Sequence, residues 1–142
     1  MKKCILFVHG TYGKSDLPFY KKLCRSKFKI AVDGGYAFFK KAGIIPDLVI
    51  GDMDSVFSLQ DMPSKTSVLT FPARKDKTDS QLAVEYCIEQ GVRTIDLVMP
   101  SVNQPDHYMA NLLLPTLKSV SSWVKAGGRF KVINKAYEAH FL

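Results

Sequence analysis

Short, mostly apolar runs recur along the chain, and segments with helical spacing separate several of them. The runs are CILFV (4–8), KIAV (29–32), DLVI (47–50), SVLTF (67–71), IDLVM (95–99) and FKVI (130–133). Runs of this length are typical of buried strands, and alternating strands and helices form a parallel sheet covered on both faces. We therefore predict a three-layer α/β fold, in which helices flank a mainly parallel, Rossmann-like sheet.

Four segments carry helix signals. One of them starts at about Pro105 and runs through DHYMANLLL, with Pro105 at a permitted first-turn position, and Pro115 should end or kink it. In TDSQLAVEYCIEQG, Thr78 and Gln81 form a capping box and Gly91 provides the C-terminal stop. YAFFKKAG predicts a shorter helix that ends at Gly43, and DLPFYKKLC predicts a helix capped by Asp16. Each of these segments lies between two consecutive strand runs, as the crossover connections of a parallel sheet require.

Composition and charge narrow the class of protein. Of the 142 residues, 46% are hydrophobic, which is enough for one core, so we predict a single domain over residues 1–142. The formal net charge of +7 is compatible with nucleic acid, an anionic membrane surface or phosphorylated ligands. No ladder of aromatic and basic residues surrounds Trp123, the single tryptophan, so we interpret Trp123 as a packing residue. We interpret most of the lysines as a solvated basic surface. We expect neither a nucleic-acid nor a membrane partner.

The cysteine pattern indicates the compartment. Cys4, Cys24 and Cys87 are far apart in sequence, odd in number and without a C-x-x-C pair. This predicts buried free thiols in a reducing cytoplasm. The apolar run near the N-terminus is too short for a signal peptide, and no run approaches the length of a transmembrane helix.

The stretch PDLVIGDMDS places two acids directly after a predicted core strand. Asp52 and Asp54 are two residues apart, so in an extended chain they point to the same side and repel each other. A divalent cation between them would remove that repulsion. The alternative for this pair is two solvated acids in a loop.

Other predicted strand ends also carry aspartates, and in a parallel sheet these ends meet at one edge, where ligands bind. Asp33, Gly34 and Gly35 follow the second run, and the two glycines allow backbone to approach an anion closely. Asp79 follows the fourth run and Asp106 the fifth. We interpret this clustering as one site.

The chemistry of these residues favours magnesium and a nucleotide. Carboxylate oxygens suit Mg²⁺, which keeps waters and substrate phosphates as further ligands. The predicted metal ligands are Asp52, Asp54 and Asp79. Lys75 and Lys77 would meet the phosphates, near the helix start at Thr78. For Asp79 the alternative is ordinary helix-start electrostatics.

Two further motifs are weaker. GTYGKS (10–15) resembles a phosphate-binding loop but is two residues too short to wrap a phosphate, so we expect a flexible loop. His107, next to Asp106, is more typical of a histidine at a helix start than of acid–base machinery.

Together these residues resemble the catalytic domain of thiamine pyrophosphokinases. The matching pieces are VDGGY, AGIIPDLVIGDMDS, FPARKDKTDSQLAVEYCIEQG and DHYMANLLL, in this order over residues 30 to about 117. The resemblance implies Mg²⁺-dependent transfer of an intact diphosphate from ATP to the hydroxyl of thiamine, with release of AMP. It also implies a homodimer.

The resemblance assigns roles to individual residues. The positions that match the family's magnesium and catalytic acids are Asp52, Asp54 and Asp79. Those that match further active-site aspartates are Asp33 and Asp106. Those that match phosphate-side positions are Ser55, Lys77 and Thr78.

The chain departs from the family in two ways. The family's G-G-R-x-D-H element has an arginine ahead of its aspartate, whereas neutral Gln104 precedes Pro105 and Asp106 here. Loss of a permanently charged phosphate donor lowers the expected nucleotide affinity or rate. The family also carries a second, smaller β domain that helps form the thiamine pocket across a dimer, and we expect that domain to be absent from this chain.

Two alternative functions follow from these departures. The acceptor could be another small alcohol, such as a hydroxymethyl-pterin. The chain could also be a nucleotide-binding homologue that no longer catalyses, which would fit the neutral Gln104.

Overall fold

The computed structural model describes residues 2–52, 63–71, 77–100, 110–135 and 137–141. Within these ranges, the strands form one sheet in the order β4-β3-β2-β1-β5-β6-β7. Their bounds are β1 Lys3–Phe7, β2 Phe28–Val32, β3 Leu48–Asp52, β4 Ser67–Phe71, β5 Thr94–Val98, β6 Arg129–Asn134 and β7 Tyr137–Phe141. The six strands β1 to β6 pair in parallel, and β7 pairs antiparallel with β6. The six apolar runs are thus confirmed as strands, and the mainly parallel sheet is confirmed with them.

Helices lie on both faces of the sheet. Their bounds are α1 Leu17–Leu23, α2 Tyr36–Ala42, α3 Asp79–Glu89 and α4 Lys118–Lys125. Shorter 3₁₀ turns span Lys14–Asp16, Asp33–Gly35 and Leu114–Thr116. The three predicted helix segments within the described residues form α1, α2 and α3, whereas the helix predicted from Pro105 begins outside the described residues. No helix in the described part of the chain has the length and apolar character needed to cross a membrane.

Alternate residues of the central strand β1 enter two separate cores. Cys4 and Leu6 pack into the cluster that contains the buried sides of α3 and α4, whereas Ile5 and Phe7 pack into the cluster with α1 and α2. Because successive side chains of a strand point to opposite faces, both faces of the sheet are covered. The predicted three-layer arrangement is therefore confirmed.

An aromatic cluster fills the core under α1 and α2. The rings of Phe7 and Phe38 stack with centroids 3.9 Å apart and planes 3° from parallel, and Tyr20 meets both edge-on. Tyr12 is also buried in this cluster, and its hydroxyl donates a hydrogen bond to the carbonyl oxygen of Val8. The segment 10–15, which we expected to be a flexible loop, is thus anchored in its middle.

The ends of α3 follow the sequence signals. The Thr78 hydroxyl accepts a hydrogen bond from the Gln81 backbone N–H at 3.1 Å, as an N-cap residue does. At the other end Gly91 has a φ of 79°, and the N–H of Val92 donates back to the carbonyl of Cys87 at 3.1 Å. This is the Schellman arrangement, which requires a left-handed residue that glycine adopts without strain.

The predicted capping role of Asp16 is wrong. The 3₁₀ turn that precedes α1 gives Asp16 a helical backbone, with φ −91° and ψ −14°, and its side chain makes no capping hydrogen bond. A capping residue needs an extended backbone to turn its side chain onto the helix start. Instead, the Oδ1 atom of Asp16 pairs with Lys135 Nζ at 3.0 Å, which ties α1 to the end of β6.

Two predictions about isolated side chains are confirmed. Cys4, Cys24 and Cys87 are all buried and free, and burial raises the pKa of the Cys24 thiol to about 11. Trp123 is a packing residue, since its indole N–H donates to the carbonyl oxygen of Val92 at 3.0 Å and its ring packs against the core.

A buried ion pair stabilises the middle of the sheet. Asp96, in β5, is only 3% exposed, and its Oδ2 atom lies 2.7 Å from Lys27 Nζ. Its other oxygen, Oδ1, has no hydrogen-bond partner among the described residues. A buried carboxylate is costly unless it is paired, so the fold depends on Lys27 to compensate this charge.

We expect Lys27→Met to lower the free energy of unfolding by about 3–5 kcal/mol, because it leaves Asp96 buried without its partner. Asp96→Asn should cost less, because the Lys27 side chain is 18% exposed and can turn toward water. Urea unfolding measures both values, and Lys40→Met on the exposed side of α2 is the control, expected within about 0.5 kcal/mol of the wild type. Wild-type stability of Lys27→Met would contradict this account.

Candidate active site

The carboxyl ends of the central parallel strands meet at one edge of the sheet. β1 pairs with β2, and β2 pairs with β3; Asp33 directly follows β2, and Asp52 is the last residue of β3. Both side chains are half-buried. Of the five aspartates expected at this edge, the structure therefore places these two on neighbouring strand ends, while Asp54 and Asp106 lie outside the described residues.

The turn after β2 is fixed by close contact with β1. A Cβ atom at Gly35 would lie 1.7 Å from the carbonyl oxygen of Phe7, so any larger residue would collide with backbone. Asp33, two residues earlier, has a φ of 51°, a left-handed conformation that aspartate tolerates better than most residues. The two glycines predicted here thus serve a close approach between two strand ends, which holds the Asp33 carboxylate at the edge.

Asp79 comes to the site from α3. It is the first residue of the helix, directly after the Thr78 cap, and it is half-buried. Burial raises the pKa of the Asp79 carboxyl, and the nearby carboxylates of Asp33 and Asp52 raise it further. The structure therefore brings Asp33 and Asp52 close enough to Asp79 to disfavour its charge.

This acidic cluster fits a hard cation with oxygen ligands better than a soft metal, because carboxylates are its charged groups. Among the described residues, no three side chains of the kinds that bind metals lie close enough to surround one ion. The raised pKa of Asp79 is compatible with this separation, because repulsion between carboxylates acts over longer distances than coordination bonds. The remaining predicted ligand, Asp54, lies outside the described residues.

Lys77, a predicted phosphate contact, is already engaged. Its Nζ atom lies 3.2 Å from Oε1 of Glu85 on α3, and the other Glu85 oxygen accepts a hydrogen bond from the Ser119 hydroxyl at 3.0 Å. Lys77 would therefore have to leave Glu85 to reach a phosphate. Two further phosphate-side candidates, Ser55 and Lys75, lie outside the described residues.

Sequence reasoning missed two residues at this edge. His9 follows β1, and its ring lies against Gly34: a Cβ atom there would be 2.1 Å from His9 Nδ1. Asn134, at the end of β6, donates its side-chain N–H to the carbonyl oxygens of Met99 at 2.8 Å and Pro100 at 3.3 Å, which holds the exit of β5. The rule that singled out Asp33, a polar residue just past a strand, also singles out His9.

Comparison with known proteins agrees with this architecture. The family model described as thiamin pyrophosphokinase, catalytic domain, matches residues 19–122. The thiamine pyrophosphokinase of Bacillus subtilis (strain 168) is 28% identical over 109 residues, which is 75% of this chain and 49% of that protein. The chain thus spans about half the length of the curated relative that it matches.

Solved structures share the fold. The crystal structure of thiamine pyrophosphokinase from Bacillus subtilis superposes with a TM-score of 0.66 at 26% identity, covering 94% of this chain and 61% of that one. Yeast thiamin pyrophosphokinase superposes with a TM-score of 0.68 over 94% of this chain and 58% of that one, at 13% identity. The likeness to the yeast protein is evidence for the fold alone.

The raised pKa of Asp79 gives a test of the acidic cluster. Because the folded pKa lies above the unfolded one, ionised Asp79 opposes folding, and its unfavourable contribution disappears as the pH falls through the folded pKa. We therefore expect Asp79→Asn to raise the melting temperature of the metal-free protein at pH 7, and we expect this gain to vanish in acid. Thermal melts in EDTA measure this.

Mg²⁺ provides the second arm of this test. It should raise the melting temperature of the wild type more than that of Asp79→Asn, because the variant has lost one charged ligand. Asp47→Asn, at the opposite end of β3, is the matched control. A lower melting temperature of metal-free Asp79→Asn at pH 7 would show instead that the carboxylate mainly stabilises the start of α3.

Proposed function

The chain belongs to the thiamin pyrophosphokinase catalytic-domain family, and from this premise we propose that it catalyses Mg²⁺-dependent transfer of diphosphate from ATP to the hydroxyl of thiamine. The observation that carries this proposal is that Asp33 and Asp52 lie near enough to Asp79 to raise its pKa, at the carboxyl edge of a sheet shared with these enzymes. Such an edge is where α/β proteins bind nucleotides.

The reaction needs positioning and charge neutralisation rather than a protein nucleophile. The acceptor oxygen attacks the β-phosphorus of ATP, the bond from this phosphorus to the oxygen that bridges to the α-phosphate breaks, and AMP leaves. The hydroxyl proton passes to a base. Asp33 and Asp106 are the two candidates for orienting the hydroxyl and accepting its proton.

Asp52, Asp54 and Asp79 would hold the Mg²⁺. When bound, the ion offsets the negative charge of the phosphate oxygens. The carboxylates also need a cation for their own sake, because burial and repulsion already disfavour the charge on Asp79.

The remaining groups of the proposed nucleotide site are donors to phosphate. The backbone at Gly34 and Gly35 lies at the edge next to Asp33, and the start of α3 follows Thr78. Backbone N–H groups at such turns and helix starts attract anions. The side chains assigned to the same task are Ser55, Lys75 and Lys77.

The proposal also names the acceptor and the assembly. Thiamine is the acceptor acted on by the matched relatives, as their names state, and a hydroxymethyl-pterin is the alternative alcohol. We propose that the protein forms a homodimer. We also propose that it resides in the cytoplasm, because its thiols are free and buried. Neutral Gln104 favours the second candidate function, a nucleotide-binding homologue without turnover.

The proposal predicts that Asp52→Asn lowers the rate of AMP release from Mg-ATP and acceptor by about 100-fold or more, because it weakens a preorganised charge at the reacting phosphates. The assay uses thiamine and a hydroxymethyl-pterin as acceptors. Asp47→Asn makes the same chemical change at the other end of β3, where Asp47 accepts from the Lys29 N–H at 2.8 Å, and should keep wild-type activity. Equal activity of the two variants would refute the assigned site.

A further prediction concerns turnover. We expect the 142-residue chain to bind Mg-ATP but to form thiamine diphosphate slowly, because neutral Gln104 stands where the family has an arginine, and removing one preorganised charge-stabilising group costs about 100-fold or more in rate. Calorimetry measures the first property and AMP release the second. Robust thiamine diphosphate formation would show that this chain does not need the arginine.

A further inference from the structure

The strand order reverses direction next to β1. From β1 the chain adds β2, β3 and β4 on one side, and then β5 and β6 on the other. In open α/β sheets ligands bind in the crevice outside the strand ends at such a reversal. His9 lies at this point, two residues after β1 ends, and its side chain is exposed.

His9 contacts the turn that carries Asp33. A Cβ atom built on Gly34 would lie 2.1 Å from Nδ1 and 2.9 Å from Cγ of His9, so the imidazole occupies the space that a side chain at position 34 would need. Gly34 directly follows Asp33 in sequence. The ring therefore borders the turn that carries Asp33.

The backbone on both sides of His9 is held in place. The N–H of Val8 donates to the carbonyl of Val98 at 3.4 Å, and the carbonyl of Val8 accepts from the buried Tyr12 hydroxyl. The carbonyl of Tyr12 in turn accepts from Lys41 Nζ at 3.2 Å. The ring itself makes no hydrogen bond within the described ranges, so a rigid strand end presents a donor to solvent.

We propose that His9 donates a hydrogen bond from its imidazole to an oxygen of the triphosphate of Mg-ATP. This inference rests on the proposed function. The carboxylates around the site accept hydrogen bonds and repel phosphate, so an anion there needs donors. The His9 ring makes no hydrogen bond within the described ranges, so it can donate to a phosphate oxygen without breaking an existing one.

The test separates hydrogen bonding from ring packing. We expect His9→Phe, which keeps an aromatic ring but has no donor, to weaken Mg-ATP binding in calorimetry by about 10-fold or more. His9→Gln keeps an N–H donor and should retain most of the affinity. Wild-type affinity in His9→Phe would overturn the proposal, because it would show that the ring only packs or has no role. Equal loss of affinity in both variants would also overturn it, because His9 would then act in some way other than hydrogen-bond donation.

A double-mutant cycle checks the contact with Gly34 independently. Gly34→Ala should displace the ring and weaken Mg-ATP binding in the wild-type background, and it should add little to His9→Ala, because the clash is then gone. Additive losses would contradict the contact. Wild-type affinity in Gly34→Ala would also count against the proposal. Thermal melts show whether each variant is folded.

Asp52→Asn separates this inference from the proposed function. If Asp52→Asn weakens Mg-ATP binding and the His9 variants do not, only the role of His9 is wrong. If the wild type does not bind Mg-ATP, or if Asp52→Asn leaves its affinity unchanged, the proposed function fails and the role of His9 fails with it.

Discussion

The close approach of two backbone segments determines the geometry of the candidate site. The carbonyl oxygen of Phe7, at the end of β1, lies where a Cβ atom on residue 35 would be, so only glycine fits. This contact fixes the turn after β2, in which Asp33 adopts a left-handed backbone with φ 51°. It also sets the start of α2, whose Phe38 ring stacks on Phe7 at 3.9 Å. One steric constraint thus links the core to the site.

The acidic edge is held by a scaffold that does not depend on it. The charge on Asp79 raises the energy of the folded state through burial and through repulsion from Asp33 and Asp52, yet these residues are attached to paired strands and to a helix with both ends satisfied. The hydrophobic clusters on both faces of the sheet offset that cost. This is the usual relation between a functional site and its scaffold, in which local instability is retained because a ligand relieves it.

The sequence predicted the strands well because buried parallel strands are continuous apolar runs, a strong local signal. It did not reveal β7, Tyr137–Phe141, because YEAHF mixes charged and apolar residues, as is common in antiparallel strands. It misassigned Asp16 because capping depends on the backbone before the helix, and here that backbone is a 3₁₀ turn.

The parts of the candidate site that could be predicted are those that residue type and position after a strand indicate. Aspartates after strands suggested a cation, and in the structure the carboxylates of Asp33 and Asp52 are near enough to Asp79 to raise its pKa. His9 also directly follows a strand run, but its contact with Gly34 could not be read from the sequence, because that contact depends on the pairing of β1 with β2. The burial of Asp96 beside Lys27 was missed for the same reason, since these residues are far apart in sequence.

Burial also determines which lysines can leave their carboxylate partner to bind a ligand. The pair of Lys27 with Asp96 is nearly inaccessible, with side chains 18% and 4% exposed, so breaking it would leave a charge without water or partner. The pair of Lys77 with Glu85 is more open, at 34% and 20%, so water can replace either partner more easily than in the buried pair. Glu85 would also keep its hydrogen bond from Ser119 if Lys77 left. Transfer of Lys77 from Glu85 to a phosphate would therefore cost little, which reconciles its observed contact with a role in binding nucleotide.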